Sequence, residues 1–265
     1  KVRLKEYDFD PIVVKDSTVK TNFPSVRFIQ NSIAGLSPQA KLLTITNKLK
    51  KLDLDIFLVT KLEEVAYITN IRGNDIPYSS SFKAKGIIEK NKFYVFTDIE
   101  LSRFKDNFSD NFIFSKLESF YDHLNMLSKN DLPLKIGFVP SSINVLDYRK
   151  LQKTNKTVLE VEESPIAIVK AVKNNAEIAH IEKCFEKTDI VVSKAIKWLN
   201  KNLHEGKTVS EKDFSDKIKN LFLKNGALGL SFETIAASGV NTAIIHYSNP
   251  DAKKNISPGE LVLLD

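Results

Sequence analysis

One cysteine, Cys184, occurs in 265 residues, so a disulfide framework and a cysteine-rich zinc site are both excluded. Such scarcity fits a reducing compartment. No run of about 18 uncharged apolar residues occurs, and no transmembrane helix is expected. The opening KVRLKEYDFD lacks the apolar core of a signal peptide and an initiator Met, so the start reads as truncated or processed and the expected location is cytoplasmic. A glycine-rich phosphate loop, a GxSxG elbow and an HExxH helix are missing. So are a zinc finger and an RNA-binding aromatic signature. No charge of one sign is blocked together: 39 Lys and Arg interleave with 33 Asp and Glu, leaving +6. That pattern describes a solvated surface, and neither nucleic acid nor a membrane is an expected partner. No internal repeat or low-complexity tract is present.

What remains is ordinary for a globular chain, with 42% hydrophobic and 27% charged residues. It is enough for one large domain or two medium ones. Residues 1–35 show no clear period and read as the remnant of an upstream domain plus a linker. Ser37-Pro38 then opens a helix, with Leu42, Leu43, Ile45, Leu49 and Leu52 at helical spacing. LDIFLVT (54–60) reads as a buried strand, KLEEVAYITN (61–70) as a short helix, and GIIEKNKFYVFTD (86–98) as two strands around a polar turn. Helices around 99–106, 117–128 and 144–153 alternate with strands at 112–116, 134–139 and 157–161. This alternation indicates an α/β layer domain over 36–162.

A second unit spans 163–265. Asn174 and Glu177 cap a long helix whose stripe is Ile178, Ile181, Phe185, Thr188, Val192, Ala195, Leu199 and Leu203, ending at Gly206. Thr208 and Glu211 read as a second capping box, before a helix faced by Phe214, Ile218, Leu221 and Phe222 and closed by Gly226. The remainder is strand-like, broken by Gly239, Asn249-Pro250 and Pro258-Gly259.

His246 follows Ala243, Ile244 and Ile245, which places it near the end of an apolar strand, before a turn. There it can exchange hydrogen bonds with a substrate near neutral pH, although spacing alone favours a structural histidine capping the turn. Asp265 ends the apolar run Leu261 to Leu264. A carboxylate at the end of a buried strand needs a partner or a metal; spacing alone equally allows a solvent-facing Asp and favours it. Arg72, Asn74 and Asp75 stand at a tight turn where an Arg can bind a carboxylate, with local turn stabilisation the favoured role. His123, His180 and His204 read as surface or helix-terminal residues. Cys184 reads as an inert packing residue without a nearby base, and Trp198 as a helix anchor.

Three segments together resemble cytosolic-type aminopeptidase P, the Xaa-Pro aminopeptidases of the pita-bread metallopeptidase family. FLVTKLEEVAYITNIRGNDIPYSSSF (57–82) is similar to the family's strand and helix leading into an N-I/L-R-G-x-D turn. IVKAVKNNAEIAHI (168–181) resembles the opening of the catalytic domain's first long helix. SFETIAASGVNTAIIHYSNPDAKKNISPGELVLLD (231–265) looks like the S-F-x-T-I segment that runs through an H-Y pair to a strand ending in Asp.

The resemblance implies a creatinase/aminopeptidase P-like α/β domain with a mixed sheet, followed by the N-terminal half of an α+β pita-bread domain. It implies that Asp265 is the first of five ligands to two divalent ions, with manganese the usual choice, and that His246 binds the substrate and stabilises the developing charge. The substrate would be a peptide with proline second, attacked by a metal-held hydroxide, and the enzyme a homodimer. The other ligands would lie beyond Asp265, so the fragment alone is expected to be inactive. Two rivals share the fold: a non-catalytic pita-bread module that binds protein partners, and a prolidase-type dipeptidase. Retention of His246 and Asp265 argues against the first. The R-G-x-D turn and the SFETI lead-in argue against the second.

Overall fold

The computed structural model describes residues 26–265, apart from Asp75 and Asn130. In chain order, strand β1 (Arg27–Phe28) and a single turn, α1 (Asn31–Ala34), precede α2 (Pro38–Lys51), β2 (Ile56–Val59) and α3 (Leu62–Thr69). Then come β3 (Ile71–Arg72), β4 (Lys85–Glu89), β5 (Lys92–Phe96), a 3-10 turn at Ser102–Asn107 and β6 (Phe112–Ser115). The α/β unit continues through α4 (Ser119–Ser128), β7 (Lys135–Phe138), α5 (Val145–Gln152) and β8 (Thr157–Glu160). Helices α6 (Pro165–Ala171), α7 (Asn175–His204) and α8 (Glu211–Lys224) lead to β9 (Ala236–Ser238), a 3-10 turn at Gly239–Ala243 and β10 (Val262–Leu264).

Six strands form one mixed sheet in the order β6-β5-β4-β2-β7-β8. β4 pairs antiparallel with β2 and β5, whereas β2–β7, β7–β8 and β5–β6 are parallel. Helices cover both faces, and this explains why every residue of IFLV in β2 is buried. Phe57 and Val59 pack with Leu42, Ile45 and Leu49 of α2 and Val65 and Ile68 of α3. Ile56 and Leu58 point the other way, into Phe120, Leu124 and Leu127 of α4 and Leu151 of α5. Ser37 caps α2 as its spacing predicts, accepting from the Ala40 amide at 3.2 Å. The helix expected around 99–106 is only the 3-10 turn.

Three other expectations change. Residues 1–25 lie outside the described residues, but 26–35 are not irregular. β1 pairs antiparallel with β3, and the Ile29 amide donates to the Asn70 carbonyl at 2.8 Å. Phe28 contributes a ring that packs against Phe104 and Phe108. The stripe on α7 is buried only in its second half, at Ala195 and Leu199, and there Val191 is buried in place of the expected Val192, which is only partly covered. There α8 lies against it through Phe214 and Ile218. Ile178, Ile181 and Phe185 are exposed, Phe185 at 65%. The α8 capping box is shifted by two residues from Thr208 and Glu211. Ser210 is the N-cap, accepting from the Asp213 amide at 3.1 Å, while Asp213 Oδ2 accepts from the Ser210 amide at 3.0 Å.

The two units meet at a polar junction. Asn174 caps α7 through its Oδ1, which accepts from the Ala176 and Glu177 amides at 3.0 Å each. Its Nδ2 donates to the Ala34 carbonyl at 2.9 Å. Gly35 lies directly beneath, at φ +71°, where an added Cβ would fall 2.0 Å from Asn174 Oδ1. Alongside, the buried Lys41 ammonium donates to Asn70 Oδ1 at 2.6 Å and to the Tyr67 carbonyl at 3.2 Å. Asn70 returns its Nδ2 to the Leu36 carbonyl at 2.9 Å. Burial, then the Arg72 guanidinium, pulls Lys41 down from 10.5 to about 8.

Two outcomes follow from this junction. Gly35→Ala meets both a left-handed backbone and the displaced cap, and is expected to cost about 2 kcal/mol or more in urea unfolding. Gly206→Ala, also at φ +71° but with nothing within 4 Å of the new Cβ, serves as reference at about 1 kcal/mol. For Lys41, the unfolded chain holds its proton more tightly than the fold does, so stability rises with pH between about 8 and 10.5. Tyr67, pushed up to about 12 by burial and then Glu177, opposes this above its ordinary value of 10.0. From pH 8 to 10 the native chain should therefore gain about 2 kcal/mol relative to Lys41→Met. A flat difference across that window would contradict the assignment.

Candidate active site

β9 and β10 form a short antiparallel ladder in which Ala236 opposes Leu264 and Ser238 opposes Val262. The ladder runs one pair further: the Ile235 amide donates to the Asp265 carbonyl at 2.9 Å, and the Asp265 amide returns to Ile235 at 3.0 Å. Strand alternation decides the fate of each side chain. Val262 and Leu264 pack towards the α7–α8 core. Leu261, Leu263 and Asp265 share the opposite, exposed face. Within this chain β10 is covered on one face only, and the Asp265 backbone is fixed by its paired hydrogen bonds to Ile235.

His246 does not end a strand. Of the strand-like stretch before it only Ala236–Ser238 is a strand, and the chain then turns through the 3-10 segment Gly239–Ala243. Thr242 closes that turn, its hydroxyl donating to the Gly239 carbonyl at 2.7 Å. His246 follows in a tight turn at φ +55°, exposed. A left-handed backbone is tolerated by His more readily than by β-branched residues.

The residue that the capping misreading concealed is Glu211. Its side chain has 0% exposure. Oε1 accepts from the Ser238 amide at 2.7 Å, the Ser238 hydroxyl at 3.2 Å and Asn241 Nδ2 at 3.1 Å. Oε2 accepts from the Tyr247 hydroxyl at 2.7 Å, the Asp251 amide at 3.1 Å and Asn241 Nδ2 at 3.2 Å. Burial alone pushes this carboxyl up, yet the hydrogen bonds, led by Tyr247, hold it below the usual carboxylate range. Tyr247 is pushed up to about 12, by burial and then by Glu211. An ionised acceptor and a protonated donor match. Reading Ser210 with Asp213 as the box would have freed Glu211 for another role.

An open cleft of about 560 Å³ adjoins this network, lined by Lys212, Tyr247, Asn249, Pro250 and Asp251. A larger one, about 900 Å³, lies at the β6 edge of the sheet and contains none of the candidate residues. Arg72 acts locally, as expected, donating to the Ala66 carbonyl at 2.5 Å and to Ile71 at 3.0 Å. Asn74 is exposed; Asp75 lies outside the described residues. The turn that follows reaches the second unit, where the Tyr78 hydroxyl donates to Glu233, three residues before β9.

The other histidines divide. His180 and His204 are exposed, as predicted. His123 is instead half-buried, 4.3 Å from the Tyr94 ring, with its Nε2 3.5 Å from Glu89. Cys184 is not a packing residue: it is exposed, and His180 Nε2 lies 3.6 Å from its sulfur, one helical turn away. Trp198 does anchor α7, half-buried beneath the Lys217 ammonium at 5.3 Å. Among the described residues no group of three or more His, Cys, Asp or Glu could hold a metal ion. No helix among them is long and apolar enough to cross a membrane.

Residues 20–177 match the Creatinase/Prolidase N-terminal domain and residues 179–265 match Metallopeptidase family M24. A probable Xaa-Pro aminopeptidase P of Laccaria bicolor is 30% identical over 257 residues, covering 94% of this chain and 39% of that protein. Aminopeptidase P2 of Arabidopsis thaliana is 26% identical over 285 residues, with 95% and 39% covered. The X-prolyl aminopeptidase of Caenorhabditis elegans, described as a cytosolic enzyme with a di-nuclear active site, superposes with a TM-score of 0.80 at 23% identity, over 96% of this chain and 43% of that one. At that identity the likeness establishes the fold. The chain spans about two fifths of the length of these curated relatives. With its mixed α/β sheet, the chain belongs to the creatinase/prolidase N-terminal domain family, and the residues that follow, 179–265, match Metallopeptidase family M24.

Proposed function

We propose that this chain is part of a metal-dependent Xaa-Pro aminopeptidase, which removes the first residue from peptides whose second residue is proline. The observation that carries the reading is the match to aminopeptidase P relatives over nearly the whole chain, together with the match of residues 179–265, which bear His246 and Asp265, to Metallopeptidase family M24. Asp265 offers one hard carboxylate donor from the rim of the β9–β10 ladder, the type of ligand that suits manganese. The described residues do not themselves make a metal site, so a two-metal centre requires donors from chain beyond them. His246, exposed in its turn, donates an imidazole N–H to the peptide oxygen on which charge grows. A homodimer belongs to the same proposal and rests on family resemblance.

The full-length protein with manganese should release Arg from an Arg-Pro-Pro peptide. His246→Ala should lower kcat/KM by about 100-fold with metal content retained, the scale of losing one positioned donor. Asp265→Ala should lower the bound manganese itself, measured by elemental analysis. A folded, metal-loaded full-length protein that leaves the peptide intact would sink the reading. The 265-residue chain alone should show no turnover; peptide release by it would overturn the requirement for a two-metal centre with further donors.

A further inference from the structure

Glu211 spends a buried carboxylate where helix capping does not need one. Ser210 and Asp213 already close the α8 box. An acid at a helix N-terminus gains about 0.3–1 kcal/mol from the dipole at the surface, and burying its charge costs more than that unless its lone pairs are filled. Here they are filled, and every side-chain partner comes from one stretch, residues 238–251. That stretch brackets His246. The turn has little packing of its own, because Ile245 is 85% exposed and Ile244 is exposed beside it. Ser238 is also the last residue of β9 and opposes Val262, on the strand that leads into Asp265.

We infer that Glu211 is a positioning residue: its carboxylate fixes the His246–Tyr247 turn, through Tyr247 and Asn241, against the β9–β10 ladder that carries Asp265. The kinetic consequence rests on the aminopeptidase reading; the geometric one does not. Glu211→Gln turns one of the two accepting oxygens into an N–H₂ donor; whichever way the amide faces, it meets Asn241 Nδ2 and the backbone N–H of Ser238 or Asp251, none of which can accept, so part of the network breaks at nearly constant volume.

The test is a double-mutant cycle in the full-length manganese protein. Glu211→Gln should lower kcat/KM at least tenfold in the native background and less than threefold in His246→Ala, with bound manganese unchanged in both. Equal losses in the two backgrounds, or a loss within twofold in the native one, would overturn the inference. If Glu211→Gln fails to fold, Tyr247→Phe removes one donor only. It should show the same asymmetry, at least threefold against none, and equal losses count against the inference. A second arm needs no activity. Amide hydrogen exchange of Glu211→Gln, or of Tyr247→Phe in its place, should accelerate at least tenfold at Ser238 or Asp251, with Val191–Leu199 unchanged. Uniform acceleration along α7 and α8 would reduce Glu211 to a general structural residue. Should the native protein cleave no Xaa-Pro peptide, the functional reading fails, and the exchange arm alone decides the positioning.

Discussion

An ionised carboxylate loses several kcal/mol of hydration on burial, even after the surroundings relax. Glu211 has no exposed surface, yet hydrogen bonds hold its carboxyl in the ionised form. The C-terminal unit is arranged to satisfy that demand. The chain leaves α8, forms β9, folds into a 3-10 turn and doubles back, and at each stage it delivers a donor to the same two oxygens. The backbone joins in, since the Glu211 amide donates to the Lys254 carbonyl at 3.0 Å. A loop of this length with several exposed apolar side chains would otherwise lack a fixed shape.

The α/β unit solves a related problem with the opposite charge. Lys41 is buried to 1% exposure and gives its protons to Asn70 and the Tyr67 carbonyl, with the Tyr67 ring 4.0 Å from the ammonium. Asn70, itself at φ +55°, ends α3 and ties back to Leu36. One residue earlier, Gly35 supports the Asn174 cap of α7. The end of α3, the start of α2 and the start of α7 are therefore locked by one polar cluster. Ile166 of α6, buried among Leu42, Ile45 and Val65, adds an apolar link between the units, and the Tyr78–Glu233 contact adds another next to the ladder that carries Asp265.

What the sequence made legible follows from what periodicity reports. The strands at 54–60, 86–98, 112–116, 134–139 and 157–161 all appear; the central ones are buried apolar runs in a doubly covered sheet, whereas the edge strands β6 and β8, mostly partly or fully exposed, follow from their β-branched and aromatic residues between turn signals. Asn174 and Ser37 were readable as caps because their partners are local. The α7 stripe shows the limit. Periodicity finds an amphipathic face, but it does not say how far along the helix a partner extends, and α8 covers only the later half. At Glu211, two overlapping Ser/Thr-x-x-acid frames compete, and only long-range donors decide between them. Ala243-Ile244-Ile245 carries the local signature of a strand, although His246 lies in a turn. No glycine marks the turn that holds it. The Asn241 side chain that shapes this turn bonds to Glu211, a partner remote in sequence that no local pattern reveals.

The sheet order has a kinetic side. β4 and β5 are joined by the two-residue turn at Lys90 and Asn91, so their pairing closes almost no loop. β2 pairs with β7 only after the whole stretch from Ile56 to Ile136 has been gathered in. Loop-closure entropy rises with that span, and contacts far apart in sequence slow folding. Of the sheet's pairings, the hairpin therefore carries a small loop-closure cost and the central β2–β7 seam the largest.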